Sequence, residues 1–154
     1  MRREGNLLDG GIQSNGVVGS DDAKIGEDWW IALPIPSNKS PKAIELTGAK
    51  FLDIPNGIQL LGYGAYTREE TDGLALITRR GDAGMPNFDK LKNHINESNR
   101  VPGKSESNVY YVAHVKVTGP VHENFHGCKF KYQQGSRKYV QSLNCEASLR
   151  LSKK

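Results

Sequence analysis

Seventeen glycines and seven prolines break this 154-residue chain into short apolar runs, and that punctuation constrains its fold more than any other feature. A helix needs an unbroken window of about ten residues or more, whereas strands of roughly four to eight residues fit between such breakers. No apolar run exceeds five residues, the length of Val109 to Ala113, far short of the roughly 20 that a membrane helix requires. Hydrophobic residues make up only 36% of the chain, so Gly, Ser, Asn and Pro take the places that apolar residues usually fill. A chain of this length can bury one core without several covalent staples.

Strands are expected at Trp29 to Leu33, Ala43 to Phe51, Ile58 to Tyr66, Leu74 to Thr78, Val109 to Thr118, Cys128 to Gln133 and Lys138 to Leu151. Pro34, Pro36, Pro41, Pro55 and Pro120 fall at or beyond their ends, where a missing N–H breaks no ladder. Asn56-Gly57 and Asp72-Gly73 supply residues that tolerate positive φ in turns. The clearest alternation is Val109, Tyr111, Ala113, Val115 and Val117, with Tyr110, His114 and Lys116 on a face expected to be wet. Phe88, Leu91 and Ile95 behind Asn87 have the spacing of one short crossover helix. Residues 1–28 carry six glycines and no period, and read as a flexible leader ahead of a single domain over 29–154. Seven strands with intervening turns suggest two packed antiparallel sheets.

The two cysteines bracket the best hairpin. If Cys128 faces Cys145, then Phe130 faces Leu143, Tyr132 faces Gln141, and Ser136-Arg137 form the tip beside Gly135. Cys128, Phe130, Tyr132, Leu143 and Cys145 then share one face, with Lys129, Lys131, Ser142 and Asn144 on the other. Opposed strand residues lie within disulfide reach, so a Cys128–Cys145 bond is expected, with two buried free thiols as the alternative. A bond would argue for an oxidising compartment and hence for export, although no apolar h-region follows Met1, Arg2 and Arg3.

Charge is uneven. Val109 to Lys154 holds eight Lys and Arg against Glu123 and Glu146, while the whole chain nets only +4. Lys129, Lys131, Arg137 and Lys138 on the wet face of the hairpin form a candidate anion-binding patch, set against a plainer role in keeping sheet edges from pairing.

His122-Glu123-Asn124-Phe125-His126 satisfies H-E-x-x-H by letter. The zinc chemistry needs a helix, which alone brings imidazoles at i and i+4 onto one metal; on a strand they stand about 13 Å apart. Gly119-Pro120 before the segment and Gly127 after it deny it that helix, so His122 and His126 are expected to be loop residues rather than metal ligands. Arg80-Gly81-Asp82 reads as a turn more readily than as a recognition tripeptide. Gly62-Tyr63-Gly64 reads as a strand packing against a bulky neighbour. Trp29-Trp30 and the tyrosines could stack on sugars, but fit a core better. No nucleophile elbow, phosphate loop, catalytic carboxylate pair or cofactor motif is present.

The run Trp30 to Pro34, the Ile54-Pro55-Asn56-Gly57-Ile58 turn, Tyr110-Tyr111-Val112-Ala113, and the pairing of Gly127-Cys128 with Asn144-Cys145 resemble small exported bacterial proteins with an immunoglobulin-like sandwich. The resemblance spans about Trp29 to Leu151. It implies an all-β, immunoglobulin-like antiparallel sandwich of about seven strands, acting as a cell-envelope or secreted binding module, with no catalytic residue carried over. The expected partner is a protein or an anionic surface polymer rather than nucleic acid. Two other readings remain open: a zinc hydrolase built on His122, Glu123 and His126, and a cytoplasmic interaction domain with reduced thiols.

Overall fold

A computed structural model describes residues 3–11 and 16–153. The described residues form thirteen strands: β1 (Arg3–Glu4), β2 (Leu8–Asp9), β3 (Val18–Ala23), β4 (Asp28–Ala32), β5 (Ser37–Asn38), β6 (Ile44–Asp53), β7 (Ile58–Thr67), β8 (Ile77–Arg79), β9 (Asn99–Val101), β10 (Ser105–Glu106), β11 (Val109–Val117), β12 (Phe125–Gln134) and β13 (Arg137–Leu151). The chain is all-β. Each of the seven expected strands has a counterpart; the other six are mostly pieces of two or three residues, too short to carry a hydrophobic period.

One sheet runs β1-β13-β12-β6-β9, with β3 also on the outer edge of β13. A second runs β7-β11-β4-β8, and β10, β5 and β2 form a small third sheet. The two larger sheets share one core: Trp29, Ile31, Tyr111, Ala113, Val115 and Val117 from the second meet Leu46, Phe125, Phe130, Tyr132 and Leu149 from the first. Alternation explains this, because every second residue of β11 and of β12 points inward.

The face of β11 expected to be wet is largely covered. Tyr110 and Val112 are fully buried in a second cluster with Trp30, Tyr66, Ala75 and Phe88, since residues between β7 and β9 fold across that side of the sheet. His114 and Lys116 are only half-buried. Within the covering segment the expected helix is replaced by one 3₁₀ turn, Phe88–Lys90. Asn87 does cap it by accepting from the Asp89 N–H, but Leu91 is already extended. The following residues bond to β7 instead: Asn93 accepts from the Ala65 N–H and the His94 N–H donates to the Ala65 carbonyl. A strand edge with open backbone groups thus outcompetes a weak helical period.

Residues 3–11 and 16–28, inside the segment expected to be a leader, contribute three strands. β1 and β3 lie parallel to β13, and β2 pairs with β5. Leu8 is 2% exposed in the main core, and the Gln141 amide clamps its backbone by accepting from the Leu8 N–H and donating to the Leu8 carbonyl.

The β12–β13 hairpin keeps the expected faces but not the expected register. Cys128 pairs with Leu143, Phe130 with Gln141 and Tyr132 with Tyr139, because Gln134 and Arg137 close a two-residue turn at Gly135-Ser136. The slip is two residues, so side-chain parity is kept. Between His126 and Cys128 the register shifts, at Gly127 with φ +75°. Cys145 thereby lies diagonally across from Cys128, Cα to Cα 5.8 Å, with the sulfurs at bonding distance.

Candidate functional site

On β12, Cys128, Phe130 and Tyr132 are fully buried, so the intervening Lys129 and Lys131 are on the outer face of the six-stranded sheet. Lys138 lies opposite Gln133 on that face, whereas Arg137, opposite Gln134 at the hairpin end, alternates to the other side of the ladder and does not join the three lysines as expected. All four expected cations are therefore carried by one hairpin. A fifth was not anticipated: Lys50 of β6 is directly opposite Lys129, with Gly48 opposite Lys131. Finding Lys50 requires the β6–β12 pairing, across more than 70 residues of sequence, and no local signal supplies that. Among the described residues the ion pairs engage other cations, chiefly Arg68, Arg79, Arg80 and Lys92, and none of these five. Like charges directly opposed on a sheet are destabilising, so Lys50 and Lys129 stand in an arrangement that folding alone does not favour. Carboxylates of this sheet stand near the lysines as well as at its ends: Glu45 is opposite Arg100 on β9 and Gln133 on β12, Glu4 of β1 is opposite Val140, which faces Lys131, and Glu146 faces His126.

His122, Glu123 and Asn124 lie in irregular chain, and His126 lies in β12. No helix forms there. Arg150 holds this loop from β13, donating to the Glu123 and His122 carbonyls and to Asn124 Oδ1, while Asn124 Nδ2 donates to Glu146. The loop borders an open concavity of about 570 Å³ with Asp53, His126 and Glu146. Among the described residues, no three His, Cys, Asp or Glu side chains are arranged to hold a metal ion.

The Arg80 and Asp82 charges are engaged by neighbours at the surface. Arg80 bonds to Asp28 and Asp89 and lies 4.9 Å above the Trp30 ring, and Asp82 accepts from the Arg79 N–H and Nε. Burial pushes the Asp28 carboxyl up, but hydrogen bonds from Arg80 and His114 leave it below its ordinary value. His114 also stacks on Trp30 at 4.3 Å between centroids. Trp29 and Trp30 are 3% and 5% exposed, so neither offers a ring for stacking on a sugar. Gly64 packs against the Tyr66 ring, which a Cβ would meet at 2.6 Å. No helix among the described residues is long and apolar enough to cross a membrane.

Comparison with known proteins adds no relative: no family model, no curated protein and no solved structure matches the chain.

Proposed function

We propose that this chain is a non-catalytic binding module of the bacterial cell envelope or secreted fraction, built on an immunoglobulin-like plan, which holds an anionic surface polymer against the outer face of its six-stranded sheet. The observation that carries the reading is the opposed pair Lys50 and Lys129, with Lys131 next along β12 and no ion pair on any of them among the described residues. A bound polyanion would offset their repulsion and gain from their combined field. The Cys128–Cys145 pair supports an exported origin, since such bonds persist in oxidising compartments.

The test is retention of the full chain on immobilised heparin beside a control protein of equal net charge. Later elution, with affinity falling steeply as salt rises, is expected, because released counterions drive the association. Elution no later than the control would overturn the proposal.

A further inference from the structure

We infer that Asn56 is a site of spontaneous covalent modification, where the side-chain amide is lost through a cyclic imide and part of the product carries an isoaspartyl linkage in the main chain. Three observations carry it. Asn56 is exposed in the turn between β6 and β7, and its side chain makes no hydrogen bond among the described residues. Gly57 follows it, and with no Cβ it leaves its backbone nitrogen open to attack. Neither the Asn56 carbonyl nor the Gly57 N–H is hydrogen-bonded, so the peptide plane between them is free to turn. The chain is held only on either side of that plane, by buried Pro55 and by the Gly57 carbonyl.

The chemistry needs only water and solvent base. The Gly57 nitrogen, its proton passing to solvent, attacks Asn56 Cγ. The Cγ–Nδ2 bond breaks and ammonia leaves, closing a five-membered imide. Water then opens the ring at one of two bonds. Cleavage between the Gly57 nitrogen and Cγ gives ordinary aspartate. Cleavage between that nitrogen and the main-chain carbonyl carbon gives isoaspartate, whose main chain runs through Cγ and is one methylene longer.

The structure separates this pair from its neighbours in kind. Of the other Asp-Gly pairs with both residues described, the Gly73 N–H donates to the Arg68 carbonyl, and Asp9 Oδ1 accepts from the Gly11 N–H. Each also starts from a carboxylate, a poorer electrophile than an amide. Asn38, Asn87, Asn93 and Asn124 have their side chains engaged, and none of them precedes a glycine.

The two products differ in what they do to the fold. The Gly57 carbonyl accepts from the Thr118 and Gly119 N–H groups, and Gly57 sits so close to the loop after β11 that even a Cβ would meet the Pro120 oxygen at 2.2 Å. A longer main chain moves Gly57 off that seat and breaks the tie between the β6–β7 turn and the end of β11. Aspartate at the exposed position keeps it.

The experiment ages the full folded chain in mildly alkaline buffer beside the same chain unfolded in urea. The tryptic peptide 51–68 contains Asn56 as its only Asn, so its mass reports the change of amide to acid, and labelling by an isoaspartyl methyltransferase counts the isoaspartate. Turns of this kind open at little free-energy cost, so the folded chain should convert within about tenfold of the unfolded rate. Asn56→Ser should abolish labelling of that peptide. Aged chain should melt below freshly prepared Asn56→Asp, by a margin that grows with its isoaspartate content. Conversion slower than that in the folded chain, or labelling that persists in Asn56→Ser, would overturn the inference. Aged chain that melts together with Asn56→Asp would overturn the structural consequence assigned to the longer main chain.

Discussion

Replacing Leu8 by Ala tests whether the first residues belong to the folded unit. Leu8 is 2% exposed, lies in the main core, and has both backbone groups held by Gln141. A tether would tolerate the change; a core strand would not. Leu→Ala in a packed interior costs roughly 2–5 kcal/mol, combining lost transfer energy with the cavity left behind. Because β2 has only two residues and can settle inward, a value near the middle, about 3 kcal/mol, is expected. For a chain of this size that lowers Tm by roughly 6–12 °C. Urea unfolding followed by tryptophan fluorescence reads it directly, since Trp29 and Trp30 are buried and gain solvent only on unfolding. Ile25→Ala is the control from the same stretch, because Ile25 is 61% exposed. A loss below about 0.5 kcal/mol for Leu8→Ala, the range of surface substitutions, would refute the placement of β2 in the core.

Lys50→Glu should raise stability by roughly 0.2–1 kcal/mol, by turning a like-charge cross-strand pair into an attractive one, while weakening polyanion binding; a parallel loss of both would point to misfolding instead. His94 bonds Glu97 through Nδ1 and Glu70 through Nε2; burial pulls its pKa down, but the two carboxylates outweigh that and leave it raised. Its contribution is therefore complete below the ordinary value of 6.5 and lost as pH rises through the raised one, so His94→Gln should flatten stability against pH above about 6.5. Glu70, lowered first by hydrogen bonds from Thr67, and Glu97, lowered first by His94, contribute with the opposite sign and lose their effect as pH falls below their lowered values. Unreduced, denatured protein should be lighter than the reduced form by two hydrogens, and reduction should cost about 3 kcal/mol for the 17-residue separation of Cys128 and Cys145; maleimide labelling of both thiols without reductant would count against the bond.

Where a strand carries its own alternation, the sequence is informative, and β11 and β12 are the clearest cases. Their inward residues could be read from period alone, as could the Asn56-Gly57 turn, where Gly57 takes φ +90°. What period cannot report is whether the outward face is covered: Tyr110 and Val112 are buried by a segment whose docking on the sheet is set by tertiary packing. The 3₁₀ turn at Phe88–Lys90 shows the same limit, since Asn87 caps it as expected and the chain beyond is then claimed by the edge of β7. β1 and β2 escaped notice because strands of two residues have no period, and because Gly, Asp and Asn around them suit a tether equally well.

The candidate site divides along the same physical line. A two-residue error in hairpin register leaves every side chain on its face, so Lys129, Lys131 and Lys138 could be placed outward even though Cys128 pairs with Leu143 rather than Cys145. The cysteines still meet, because the shift at Gly127 brings Cys145 diagonally toward Cys128. Lys50 is different in kind. It belongs to the stripe through a pairing between β6 and β12 that depends on non-local topology, and it turns three same-side lysines into a directly opposed pair without an ion-pair partner among the described residues. The His122 and His126 letters show the converse: a local spacing whose zinc chemistry needs a helix lies in irregular chain and the start of β12, with the His122 and Glu123 carbonyls tied to β13 by Arg150. The sheet face is where backbone geometry brings these charges together, and the salt concentration at which Lys50→Gln elutes from heparin, beside the unchanged chain, measures that convergence directly.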